Sequence, residues 1–235
     1  MYHTLTKRIP LFVSLFLIII IAGCAGSKPG VNISEKKYET DTSSIEVQTP
    51  EFKNFPDSEF EEKLNTDYEN KINSWLKDFS GKSSENTPSG EKCMFRLKQE
   101  LKFNSGQILS LVGDIYIFTE GIHGSSSRIT KNIDTQRSIE LHLSDLFDDD
   151  SYPTAINREI NDILEKNPDE YHDLWEKPVL SSIHQEFFYL SNKGLVIFFP
   201  PYELSYYARG FVEFCIPYDE LSGYLRPEYR TLSKM

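Results

Sequence analysis

The longest apolar periodicity in the chain begins just after Pro56. Phe60, Leu64, Tyr68, Ile72, Trp75, Leu76 and Phe79 recur at three- and four-residue steps, which sets them on one face of a helix. Ser58 followed by Glu61 has the spacing of a capping box, so this helix is expected from about Glu59 to Phe79. The period then switches to two: Cys93, Phe95, Leu97, Leu101 and Phe103 largely alternate with polar residues, as in a half-buried strand. Asn104-Ser105-Gly106 is turn chemistry, and Ile108 to Phe118 is rich in branched and aromatic residues, so the two strands are expected to form an antiparallel hairpin.

Further strands are expected at Ile45–Val47, Arg128–Ile133, Phe187–Leu190, Leu195–Phe199 and Phe211–Ile216. Ser151 and Pro153 suit the start of a second helix carrying Ile156, Ile160, Ile163 and Leu164, which Asn167-Pro168 stops. A helical turn around Asp169–Trp175 follows it. Runs of strands with two main helices and no alternating strand–helix rhythm predict an α+β fold, a mostly antiparallel sheet or sheets with two main helices packed on one side.

The first residues read differently. Lys7 and Arg8 precede a nearly unbroken apolar run from Ile9 to Ala22, a charged segment and hydrophobic core of the kind that directs secretion. As a helix the run reaches only about 20 Å, short of the hydrocarbon thickness a spanning helix must cross. It closes on Ile21-Ala22-Gly23-Cys24, which resembles the lipobox of bacterial lipoproteins. The expected order is therefore a leader at 1–23, lipid attachment on Cys24, and a polar tether over 24–45. An N-terminal α+β subdomain at 46–124 and a C-terminal one at 125–235 complete it. The address implied is the outer side of a cell membrane or an outer membrane, with no cytoplasmic segment beyond the eight residues before the apolar run.

About 190 residues then remain to build the core, and aromatic residues make up 13% of the chain. The formal charge of −11 becomes −13 when Lys7 and Arg8 leave with the leader. Such a field repels nucleic acid and favours cationic partners. With Cys24 lipidated, Cys93 and Cys215 remain, either as a disulfide in an oxidising compartment or as two buried free thiols.

Signatures of catalysis are sparse. No histidine pair has zinc-helix spacing, and neither a Gly-x-Ser-x-Gly elbow nor a phosphate-binding glycine loop is present. The acids Asp145, Asp148, Asp149 and Asp150 lack the alternation of a calcium loop and read as a solvated cluster at a helix start. No metal and no cofactor is expected. His142, His172 and His184 stand alone. His123, between Gly121 and Gly124 at a strand end, either contacts a ligand or caps the strand. Tyr202, Glu203, Tyr206, Tyr207 and Arg209 crowd one turn between two strands, a composition that suits both a binding hot spot and a structural aromatic corner.

Three stretches together resemble one family: ILSLVGDIYIFTEGIHG at 108–124, NIDTQRSIELHLSDLF at 132–147, and FYLSNKGLVIFFPPYELSYYARGFVEFCIPYDEL at 188–221. They are similar to the extracellular region of the RsiV-type anti-sigma factors, which also occurs fused to PdaC-type peptidoglycan deacetylases. The sequence departs from the family pattern at Ile122, at Thr135-Gln136 and at Tyr206. The deacetylase signature of Thr-Phe-Asp-Asp-Gly type is absent from the sequence. The resemblance implies a non-catalytic binding domain for a cationic protein of lysozyme type; His123 and the 202–209 turn are the candidate contact residues by their own composition and position. The alternative it implies is a module that binds or modifies cell-wall glycan, with Glu203 and His123 as acid and base beside sugar-stacking rings.

Overall fold

The structure, a computed structural model, describes residues 28–83, 92–180 and 185–234. The leader, Cys24, the middle of the polar loop at 84–91 and His184 lie outside the described residues. The expected α+β class holds: two sheets, of six and three strands, pack with two long helices.

The larger sheet runs in chain order through β1 (Gly30–Glu39), β2 (Ser43–Lys53), β3 (Cys93–Asn104), β4 (Ile108–Phe118), β5 (Ser125–Asp134) and the short β6 (Ile139–Glu140). All neighbours are antiparallel except β2 and β3. A parallel pair needs a crossover, and α1 (Ser58–Ser83) supplies it. Leu64, Tyr68, Ile72 and Phe79 of α1 are buried against Val47, Phe52, Phe95, Leu97, Leu109, Leu111, Ile115 and Ile133. Asn65 fastens helix to strand, accepting from Phe52 N at 2.8 Å and donating to Phe52 O at 2.9 Å.

Four expectations need correction. The helix cap is Asp57 rather than Ser58: its Oδ1 accepts from Glu59 N at 2.9 Å and Phe60 N at 3.1 Å. A carboxylate is the stronger acceptor for the first-turn amides, and Glu61 instead accepts from Phe55 N at 2.9 Å. The alternation of β3 breaks at a register shift between Leu101 and Phe103, which leaves Leu101 40% exposed and sends Phe103 into the other core. The stretch expected as a tether holds all of β1, an edge strand whose Val31 and Ile33 alone reach the core. The thiols are unpaired, and only Cys93 is buried; Cys215 is exposed on β9. Beyond 124, β5 continues the same sheet as β4.

The smaller sheet is β7 (Phe188–Ser191), β8 (Gly194–Phe199) and β9 (Val212–Ile216), all antiparallel. Every residue of β8 is buried. Leu195, Ile197 and Phe199 join Ala155, Ile156 and Ile160 of α2 (Tyr152–Lys166), while Val196 and Phe198 join Val112 of the larger sheet. That two-sided burial explains its unbroken apolar run.

A polar seam joins the sheets. Ser110 donates to Asn132 Oδ1, Asn132 Nδ2 donates to Phe188 O at 3.0 Å, and Leu190 N donates to Ser110 Oγ at 3.0 Å. The edge of β7 thus finds its partners in two buried side chains, which satisfies backbone groups that no strand could reach.

Candidate functional site

The site is built at the end of the larger sheet where β4 gives way to β5. Gly121 takes φ 94°, which lets the chain turn back. At Gly124 a Cβ would lie 2.6 Å from Ile117 O and from the Tyr116 ring, so only glycine fits between them. Gly124 N donates to Tyr116 Oη at 3.3 Å. Between these glycines His123 is aimed off the sheet end, its Nδ1 2.9 Å from Gly124 O.

The 202–209 turn meets His123 there. The rings of His123 and Tyr207 stack with centroids 4.5 Å apart, and Tyr202 packs 5.5 Å from Tyr207. Tyr202 Oη lies 3.3 Å from His123 Nε2, and Tyr207 Oη lies 2.8 Å from Ser126 Oγ. Tyr202 carries φ 71°, a left-handed conformation that costs a non-glycine residue about 1–2 kcal/mol.

The inner side of the turn is anchored to residues 170–175. Arg209 pairs with Asp173 at 3.3 Å, donates to Glu170 O at 2.7 Å and lies over the Tyr171 ring. Ser205 Oγ donates to Asp173 O at 3.1 Å, and Trp175 N donates to Leu204 O at 2.9 Å. Desolvation works to raise the Asp173 carboxyl, but the Arg209 cation and the Tyr206 and Ser205 hydroxyls overcome it and hold the group below the usual carboxylate range.

The outer side is apolar and open. Trp175 is 60%, Tyr202 56% and Tyr206 49% exposed, and Ile122 is fully exposed. Glu120, Asp169, Glu170, Asp173, Glu176 and Glu203 lie in the same segments, against Lys177 and Arg209. A recess of about 210 Å³ opens beside the rings, sharing Tyr116 and Ser126 with them and lined further by Arg96, Lys98, Asp114 and Phe211.

All six candidate residues outside the leader therefore fall in one region. His123, Tyr202 and Tyr207 form a mutual ring cluster, Tyr206 and Glu203 flank it, and Arg209 is turned inward to Asp173. Tyr171, Asp173 and Trp175 were missed, since an expected helical turn gave no signal that they would meet a loop some 30 residues on. The other acids and histidines have local tasks: Asp145 accepts from His142 N, Asp148 from Arg230, Asp149 from Ser151 N, and His172 Nδ1 lies 2.6 Å from Asp169 O. Among the described residues no group of three or more His, Cys, Asp or Glu is placed to hold a metal ion.

Behind the rings lies a clamp between the sheets. Arg128 of β5 forks onto Asp114 of β4 at 2.6 and 3.1 Å and onto Glu213 of β9, with its guanidinium 4.1 Å from the Phe211 ring centre. Phe211 follows the turn after Gly210.

Comparison with known proteins finds relatives for both halves of the chain. A family model described as deacetylase PdaC matches residues 36–126, and one described as a protein of unknown function, DUF3298, matches residues 144–219. The anti-sigma-V factor RsiV of Bacillus subtilis (strain 168) is 27% identical over 203 residues, 83% of this chain and 70% of that one. The chain thus carries one segment that matches PdaC and one that matches DUF3298, and it is similar to RsiV over most of its length. Crystal structures of DUF3298 family members share the fold. One from Bacteroides fragilis NCTC 9343 has a TM-score of 0.65 at 15% identity, covering 88% of this chain and 98% of that one. Another from Pseudomonas aeruginosa PAO1 has a TM-score of 0.60 at 15% identity, covering 87% and 97%. In this RsiV-like chain the ring cluster straddles the two matched segments: His123 comes from the PdaC-matched part, Tyr202 and Tyr207 from the DUF3298-matched part.

Proposed function

We propose that this chain is a non-catalytic capture module, lipid-anchored through Cys24 on the outer side of a membrane, that binds a cationic cell-wall-active protein of lysozyme type. The observation that carries the reading is the exposed ring patch of Trp175, Tyr202 and Tyr206 on a chain of formal charge −11, with acids crowded about it. Aromatic side chains on a firm base give contact area at low entropic cost, and surrounding acids steer a cationic protein toward them. The RsiV resemblance supports a partner of this kind. Asp173, the carboxylate that joins this loop, is engaged by Arg209, which supports a structural rather than an acid–base task for it.

The PdaC match favours a second reading, in which the same rings stack on cell-wall glycan. Calorimetric titration of the chain from Cys24→Ala onward separates the two, with a cationic lysozyme and soluble peptidoglycan fragments as titrants. Saturable lysozyme binding that Tyr202→Ala and Tyr206→Ala weaken at least about tenfold, with circular dichroism unchanged, is the expected result. Binding to the fragments alone selects the glycan reading, and binding to neither overturns both.

A further inference from the structure

The strand found within the expected tether changes how the molecule hangs from its anchor. Lys28 and Pro29, the first described residues, are fastened to the sheet: Asn54 Nδ2 donates to Lys28 O at 3.4 Å, and Asn104 Nδ2 donates to Pro29 O at 3.1 Å. From Cys24 to Lys28 is four residue steps, so this leash spans at most about 14 Å whatever its conformation. Both asparagines lie at the end of the larger sheet where β3 turns into β4. The C-terminal segment closes the same end: Gln107 Nε2 donates to Glu228 O at 2.9 Å, and Thr231 lies beside Gln107.

The ring cluster lies at the other end. From Ile108 the strand β4 runs eleven residues to Phe118, and His123 lies beyond it. At about 3.3 Å per residue that separates the rings from the leash by roughly 35 Å, more than twice the leash's reach. Charge is distributed in the same sense. Around the leash the cations are matched by acids, Lys53 with Glu51, Arg137 with Glu228, and Arg230 with Asp148, whereas acids predominate near the rings. An anionic bilayer therefore repels the ring end more than the leash end.

We infer that the bilayer is the partner of the leash end, formed by residues 104–107 and 228–231, and that the ring patch is presented on the far side, about 35 Å outward. The inference rests on the lipid anchor proposed at Cys24. Sheet length sets the stand-off, because four residue steps are too short to bring the patch back to the membrane surface.

The test uses the full lipidated chain in phosphatidylcholine vesicles carrying a fluorescent acceptor lipid. In a Cys215→Ser background, which removes the exposed thiol, a donor dye is placed through Thr231→Cys or through Ile122→Cys. Energy transfer from position 231 is expected to exceed that from 122 by about twofold or more, given the 35 Å offset, and a twenty-residue Gly/Ser insertion before Lys28 is expected to erase the difference. Vesicle flotation is read on the same samples. A chain that floats but transfers equally from both positions, or more from 122, overturns the orientation alone. A lipidated chain that does not float overturns the anchor and the inference with it.

Discussion

Replacing Arg128 by Met removes the cation that clamps the two sheets while keeping most of the apolar stem. The Arg128 side chain is only 8% exposed, but its partners Asp114 and Glu213 are 50% and 38% exposed, so the full value of a buried ion pair does not apply. Solvent screening reduces each charge-assisted contact to about 1 kcal/mol. The guanidinium over Phe211 contributes about 1 kcal/mol more, and its removal leaves two carboxylates without their shared cation. The expected loss is about 2–4 kcal/mol in urea unfolding, or about 5–15 °C in Tm for a chain of this size. Because the guanidinium is nearly dry, the loss should persist in high salt.

The same reasoning fixes a second variant. Adding Asp114→Asn and Glu213→Gln to Arg128→Met removes the uncompensated acids and should restore part of the stability, about 1 kcal/mol or more. A single-variant loss below about 1 kcal/mol would show that the sheets are held by their apolar contacts alone, and one that disappears in salt would refute the dry clamp.

Asn132→Ala removes the link between the sheets at the polar seam, leaving Phe188 O without its side-chain donor and the Ser110 hydroxyl without its acceptor, and should cost about 2–3 kcal/mol; hydrogen exchange at Leu190 N should accelerate with it. Asp173→Asn tests the anchor under the ring turn through its pH dependence. The Asp173 carboxyl is held below its ordinary value, so its stabilisation is fully present above about pH 4 and is lost as pH falls through the lowered value. The stability gap between native and Asp173→Asn chains should therefore be widest at neutral pH and close in acid; a gap that is constant with pH contradicts the ion-pair account.

Much of this fold was legible because its strongest signals are local. The α1 face and the β3–β4 hairpin each bury one continuous apolar pattern, and the structure places them within a few residues of expectation. β1 was not legible, since an edge strand with only Val31 and Ile33 turned inward has almost no period to read. The cap shifted by one residue because Asp57 and Ser58 are both competent acceptors and only geometry chooses between them. At the site, the unusual density of Tyr and Arg marked the 202–209 turn, while Asp173 and Trp175 come to it through tertiary contacts that leave no trace in spacing.

The turn was open to two readings, a packed corner or a contact surface, and its residues divide between them. Tyr207, Leu204 and Arg209 face inward, tied to Ser126, to the core and to Asp173. Tyr202 and Tyr206 stand half exposed on that base, held by hydrogen bonds to His123 and Asp173. A ring fixed from behind loses little freedom when it is covered, so the anchoring that suits a corner also lowers the entropic cost of binding. On the capture reading the two halves of the surface act on different steps. The acids act at a distance and set the association rate, which must fall as salt rises. The rings act in contact and set how long a partner stays. An association rate insensitive to salt would therefore remove the electrostatic half of the argument and leave the rings to be explained by the glycan reading.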